Sequence, residues 1–235
     1  MTWSRLSGQS CKIPSSLTSE LESGSRGMSA ISFSSDGRRL AVASANQTTS
    51  VIRIYDFPTC IFLTSLSELY GMVYQLSFHP DGYMLAAVGD GTALIWNSVS
   101  WKLEHKLQHP SYVYTAVFHP CSSHLVATAG FDRVIRIWRR ERDTYTVSQE
   151  MTGHTAHVNC VVFDIEGQFL FSGDNQGVIK MWESPEGLSH PGGGFESSTD
   201  SFAHFKNKTW NMKREYQVLK IIIQFKTICM TDTLY

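Results

Sequence analysis

The chain repeats itself, and the repeat is what most limits its fold. Four segments end alike, in Ile52-Arg53-Ile54-Tyr55, Ala93-Leu94-Ile95-Trp96, Ile135-Arg136-Ile137-Trp138 and Ile179-Lys180-Met181-Trp182, with closing aromatics 41, 42 and 44 residues apart. A second marker keeps the same step: the phenylalanines ending Ile31-Ser32-Phe33, Leu76-Ser77-Phe78, Ala116-Val117-Phe118 and Val161-Val162-Phe163 stand 45, 40 and 45 apart. Self-similarity at one period implies one supersecondary unit per repeat. Between the markers lie turn signals, Ser35-Asp36-Gly37, Pro80-Asp81-Gly82 and Ile165-Glu166-Gly167, in which glycine tolerates positive φ. Short apolar runs follow: Leu40-Ala41-Val42-Ala43, Met84-Leu85-Ala86-Ala87-Val88, Leu125-Val126-Ala127-Thr128 and Phe169-Leu170-Phe171. They are too short and too β-rich for helices. Each period therefore predicts about four short strands.

Four strands per period make a propeller blade, which cannot bury both faces alone and stacks on its neighbours. The small residues Ala41, Ala43, Ala86, Ala87, Ala127 and Ala129 suit a crowded centre. The fold expected is all-β: an incomplete propeller of WD40 type with about four recognisable blades and an irregular C-terminal tail. The expected organisation is a lead-in over 1–27, repeats over 28–183 and a Ser/Gly/Pro-rich linker with irregular chain over 184–217. An apolar tail over 218–235 follows, with a strand candidate at Val218–Phe225.

The repeat resembles the WD40 family, whose blades often carry a buried His–Ser/Thr–Asp–Trp relay. In this register the His lies nine residues before the strand Phe. The hydroxyl and the carboxylate lie ten and six before the Trp. His109, Thr128, Asp132 and Trp138 fill every slot of the third repeat; His154, Ser172 and Trp182 fill three of the fourth, where Gln176 occupies the carboxylate slot. The second repeat retains Asp90 and Trp96, and the first has none. Such relays hold only when every member is satisfied, so the third blade is expected to be the most rigid and the first the least. The same His, Asp and hydroxyl types build nucleophilic triads, but here they fall at repeat slots. His79-Pro80 and His119-Pro120 likewise share one strand-end position, and nothing has metal-ligand spacing. No catalytic, cofactor or metal site is expected, and no small-molecule substrate.

Composition narrows the partners. Charged residues make up 17% of the chain and the formal net charge is −1, so nothing draws it to nucleic acid or an anionic membrane. The basic run Arg133, Arg136, Arg139, Arg140 and Arg142 alternates with Glu141 and Asp143 and reads as a solvated face rather than an RNA site. Five cysteines without a CxxC fit a reducing compartment. No signal-like stretch opens the sequence, and no long apolar run spans a bilayer. Two sequons, at Asn46 and Asn207, read as chance matches in a cytoplasmic protein.

A closer resemblance rests on longer runs. Leu107-Gln108-His109-Pro110-Ser111-Tyr112-Val113-Tyr114-Thr115-Ala116-Val117-Phe118-His119-Pro120, Asp132-Arg133-Val134-Ile135-Arg136-Ile137-Trp138 and Phe163-Asp164-Ile165-Glu166-Gly167 resemble the WD40 region of the jouberin family, over roughly residues 10–183. The resemblance implies a ciliary scaffold at the basal body, centriole and transition zone that binds other ciliary proteins and supports cilium assembly. That family also carries a coiled coil, further repeats and an SH3 domain not found here, so a truncated or mis-spliced product is a second expectation, and a generic WD40 adaptor a third. Counting three and five beyond each His slot gives Met72, Tyr74, Tyr112, Tyr114, His157 and Asn159, and one before each carboxylate slot gives Gly89, Phe131 and Asn175; the partner-binding face is placed at Met72, Tyr74, Tyr112, Tyr114, Phe131, His157 and Asn159. Tyr, Met and Phe are enriched in interface cores.

Overall fold

Each period folds as one antiparallel sheet. The computed structural model describes residues 20–21, 27–45, 49–184 and 209–217, and every regular element among them is a strand. Blade 1 holds β1 (Met28–Phe33), β2 (Arg39–Ala45), β3 (Thr49–Asp56) and β4 (Phe62–Tyr70). Blade 2 holds β5 (Gln75–Phe78), β6 (Met84–Val88), β7 (Thr92–Asn97) and β8 (Leu103–Gln108). Blade 3 holds β9 (Val113–His119), β10 (Ser122–Gly130), β11 (Ile135–Glu141) and β12 (Thr144–Met151). Blade 4 holds β13 (Val158–Phe163), β14 (Phe169–Asp174), β15 (Val178–Glu183) and β16 (Asn211–Gln217). In each sheet the strands lie in chain order. The four sheets are blades of an all-β, WD40-type propeller.

The turns follow the local chemistry. Gly167 turns with φ near +70°, and a Cβ there would meet the His119 ring at 2.3 Å, so both backbone and space require glycine. The His119 ring donates from Nε2 to the Gly167 carbonyl (3.1 Å) and accepts the Cys121 N–H at Nδ1 (3.2 Å). His79 accepts the Asp81 N–H in the same way, at 3.1 Å. These strand-end histidines are buried hinges of the repeat.

The blades group into two units, residues 1–109 and 110–235. In the first, Ala41, Ala43, Ile52, Ile54 and Leu66 of blade 1 pack against Leu76, Leu85, Leu94 and Trp96 of blade 2. In the second, Leu125, Ala127, Ala129, Ile135 and Ile137 of blade 3 pack against Val158, Val161, Leu170 and Trp182 of blade 4. All six alanines expected at the centre are buried.

One segment departs from the sequence reading. Residues 211–217, expected within an irregular stretch, form β16, the outer strand of blade 4, paired Trp182 to Met212 and Lys180 to Glu215. Side-chain cover explains the recruitment. Trp210 is buried against the core of the second unit, and its backbone is gripped by the Gln149 side chain, through Nε2 to its carbonyl (2.9 Å) and Oε1 from its N–H (2.6 Å). Trp101 of blade 2 holds the matching place: each tryptophan stands two residues before the one paired with the blade's own Trp. Val218–Phe225, the two sequons and most of the lead-in lie outside the described residues.

Candidate interaction surface

The loops of blade 4 that precede β13 and follow β14 are stitched together from within. Trp182 donates its indole N–H to Ser172 Oγ (2.9 Å); Ser172 Oγ lies 2.7 Å from His154 Nε2, and His154 Nδ1 lies 2.8 Å from Asp174 Oδ2. The bonding order follows from these neighbours: the serine hydroxyl donates to Nε2, and Nδ1–H donates to the carboxylate. Asp174 Oδ1 in turn accepts the N–H groups of Gln176 (2.9 Å) and Val178 (3.0 Å). Every member of this chain is satisfied, which is the condition for a buried polar network to stabilise.

The carboxylate comes from Asp174, two residues before the Gln176 slot, because the strand-end position points inward while Gln176 lies exposed. Its signal in the sequence was the Ser172-Gly173-Asp174 triplet opening the turn. Burial pushes the His154 imidazole below its ordinary range, and the hydrogen bond and charge of Asp174 offset this only in part. It is therefore neutral at pH 7. Ser, His and Asp here have the partners of a hydrolytic triad, but Ser172 is 1% exposed and its oxygen already accepts the indole N–H. A nucleophile needs an open approach to its oxygen. This serine has none.

Blade 3 uses the same slots differently. Trp138 Nε1 donates to Thr128 Oγ1 at 2.7 Å. The Asp132 carboxylate is held by Arg136 Nη1 at 2.5 Å, and Arg136 Nε donates to Glu150 at 2.9 Å. Arg136 is thus buried and ion-paired, not part of a solvated basic face; it shares the face of Trp138 because Thr128 and Glu150 are its cross-strand neighbours. His109 ends the first unit, where its Nδ1 donates to the Leu107 carbonyl at 3.1 Å.

Three of the side chains singled out for partner binding come together. The Tyr112 and Phe131 rings meet edge to face, with centroids 6.3 Å apart and planes at 77°. The Phe131 and His157 rings stack at 4.2 Å and 16°. Backbone holds the trio: Phe131 N–H donates to the Tyr112 carbonyl (2.9 Å), and His157 Nδ1 donates to the Phe131 carbonyl (3.0 Å). Gly130 permits the approach, since a Cβ there would lie 2.0 Å from the Tyr112 carbonyl oxygen. Tyr112 and Phe131 remain 47% and 44% exposed, so their area is presented rather than spent on the core.

Amides flank the rings. Asn175 N–H donates to the His157 carbonyl (2.9 Å), and Asn159 Nδ2 donates to Asn175 Oδ1 (3.4 Å). Tyr114 is half-buried, one step along β9. Met72 (exposed) and Tyr74 (half-buried) belong to the other unit. Sequence reading named the rings, Asn159 and three members of the relay, His154, Ser172 and Trp182, but not Asp174, which fixes the turn carrying Asn175. Among the described residues no cluster of three or more His, Cys, Asp or Glu is arranged for a metal, and no helix is long and apolar enough to cross a membrane.

Comparison with known proteins agrees with this geometry. Residues 63–97, 101–139 and 145–183 match the WD40 family (WD domain, G-beta repeat). Each matched segment starts at or near an outer strand and runs through the three inner strands of the next blade, so β1 to β3 lie outside the matches. The chain is 37% identical to jouberin from Rattus norvegicus over 187 residues, 77% of this chain and 18% of that protein, with the same figures for jouberin from Mus musculus. It is 27% identical to apoptotic protease-activating factor 1 from Rattus norvegicus over 160 residues, 67% of this chain and 12% of that one. The chain thus spans under a fifth of the length of these relatives.

Proposed function

We propose that this WD40-repeat protein is a non-catalytic scaffold that docks other proteins through the Tyr112–Phe131–His157 cluster of its second unit, and that it serves at the base of the cilium. The observation that carries the first part is the exposed Tyr112–Phe131 pair, packed on the half-buried His157 ring and tied by hydrogen bonds to the backbone. Rigid aromatic area loses little entropy on binding and makes interface hot spots. The neutral amides around it give the rim hydrogen-bonding capacity without charge. The second part, with ciliary proteins as partners and the basal body, centriole and transition zone as location, rests on the likeness to jouberin.

The scaffold reading is favoured over RNA binding because Arg136, the centre of the basic run, is consumed by Asp132 and Glu150. Nucleic-acid binding would also weaken steeply with salt.

Two measurements test the proposal together. Tagged chain, wild type and Tyr112→Ala/Phe131→Ala, is expressed in ciliated cells, and its position and co-purifying basal-body proteins are recorded. The wild type is expected at the ciliary base with ciliary proteins bound, and the double variant to lose at least about tenfold of that binding while its thermal melt stays close to wild type. Equal binding by the folded double variant would remove the aromatic cluster from the account. A diffuse wild type would remove the ciliary role.

A further inference from the structure

Within each unit, one blade shows what its first face demands. In blade 2 the row Phe78–Leu85–Trp96, with Leu76 beside it, is buried on the small and aliphatic side chains Ala41, Ala43, Ile52, Ile54 and Leu66 of blade 1. In blade 4 the row Phe163–Leu170–Trp182, with Val161 beside it, is buried on Leu125, Ala127, Ala129, Ile135 and Ile137 of blade 3. A bulky first face meets a small, aliphatic second face in both pairs.

Blade 1 has a first face of the same kind. Its row is Phe33–Leu40–Tyr55–Phe62, with Ile31 beside Phe33 on β1. Phe57 packs edge-on against Phe33 at 5.0 Å, and Tyr55 against Phe62 at 6.0 Å. Ile31 is 50% exposed, whereas Leu76 and Val161 in the same slot are 5% and 4% exposed. Phe33, Phe57 and Phe62 are exposed too. Among the described residues only Leu21 of the lead-in covers this face, at Leu40, Val42 and Tyr55. Leu40, Val42 and Tyr55 are thereby buried, while Ile31, Phe33, Phe57 and Phe62 around them stay exposed; exposed apolar side chains gathered in this way mark an interaction site.

The corresponding second face of blade 4 is also apolar, though bulkier. Its cross-strand rows are Val162–Phe171–Met181 and Cys160–Gly173–Ile179. Val162 is exposed, and Phe171, Ile179 and Met181 are half-buried. These rows hold the positions of Ala41, Ala43, Ile52 and Ile54 in blade 1, with Gly173 and Ile179 keeping the small and aliphatic types and Phe171 and Met181 replacing Ala41 and Ile54 by longer apolar side chains.

We infer that the first face of blade 1 binds the second face of blade 4 in another copy of the chain, head to tail, repeating the blade-on-blade packing of each unit. A heterologous contact of this kind can propagate, unlike a face that pairs with itself.

The test is complementation in the full chain. Ile31→Glu disables the first face and Val162→Glu the second; both sites are exposed strand positions. Wild type is expected to grow in mass with concentration in sedimentation velocity. Each variant alone is expected to lose at least about tenfold of that association, near 1.4 kcal/mol. Mixed, the two variants keep one intact face of each kind and are expected to form a 1:1 complex that grows no further. Should either variant melt earlier than wild type, Ile31→Ser and Val162→Thr replace them with the same expected pattern. A wild type that stays monomeric at every concentration overturns the inference, as the lead-in would then suffice as cover. So does loss on Ile31→Glu with none on Val162→Glu, which means a face pairing with itself, and so does a mixture that fails to associate.

Discussion

Blades 3 and 4 share a backbone plan and a Trp–hydroxyl pair, yet they stabilise their upper turns by different chemistry. In blade 4 a neutral histidine links Ser172 to Asp174, and the carboxylate, at the end of β14, reaches two turn N–H groups. In blade 3 the carboxylate stands two residues later, at Asp132, and an arginine takes it. The lesson is geometric. Asp174 ends its strand whereas Asp132 sits in the turn beyond β10, so the first carboxylate meets the histidine at the loop base and the second the cation at the slot two before the Trp. That slot holds Arg136 in blade 3 and Lys180 in blade 4, and each is paired with a glutamate on the outer strand, Glu150 and Glu215.

Removing each carboxylate in turn separates the two blades most clearly. Asp174→Ala is expected to cost roughly 3 kcal/mol in chemical denaturation, because it strands the His154 N–H and two backbone N–H groups in a buried site. Asp132→Ala is expected to cost roughly 1 kcal/mol, since Arg136 retains Glu150 and the site is partly solvated. Equal costs would mean that the two networks are energetically one.

Next in size is the pH response. His154 is held below its ordinary value by burial, with Asp174 and Glu215 favouring its charged form and Lys180 opposing it. The unfolded chain then binds the proton first, so this contribution is complete above about pH 6.5 and falls away as pH drops toward the folded value. Melting temperature is expected to decline on acidification from about pH 7 to about pH 5. His154→Gln should flatten that slope and Asp132→Asn should leave it. An unchanged slope in His154→Gln would place the titration elsewhere.

Smaller still is the outer-strand pair. Glu215→Gln is expected to cost about 0.5–1 kcal/mol, as Glu215 is half-exposed and screened. Its effect should concentrate in hydrogen exchange of β16, sharpening the view that Lys180 and Trp210 pin that strand. Uniform change across blade 4 would contradict it.

The aromatic cluster shows what a sequence offers and where it stops. Tyr112, Phe131 and His157 lie far apart in the chain, and their slots were readable from the repeat. Their stacking was not, because it depends on the Gly130 approach to Tyr112 and on His157 turning to the Phe131 carbonyl. The basic run misled for a similar reason. Alternation tells that Arg136 lies on the opposite face from Ile135 and Ile137, but not that Thr128 and Glu150 flank it there.

The four-blade count, the strand order within each blade and the small residues of the inner strands were legible in the residue pattern, since these follow from side-chain spacing along one strand and one turn. The folded chain adds that residues 211–217, reached across 184–210, close blade 4, that Asp174 rather than residue 176 serves His154, and that Ile31, Phe33 and Phe62 on the bulky face of blade 1 stay exposed. Each of these depends on which distant backbone edge or apolar face is left to fill, and a local pattern does not contain that information.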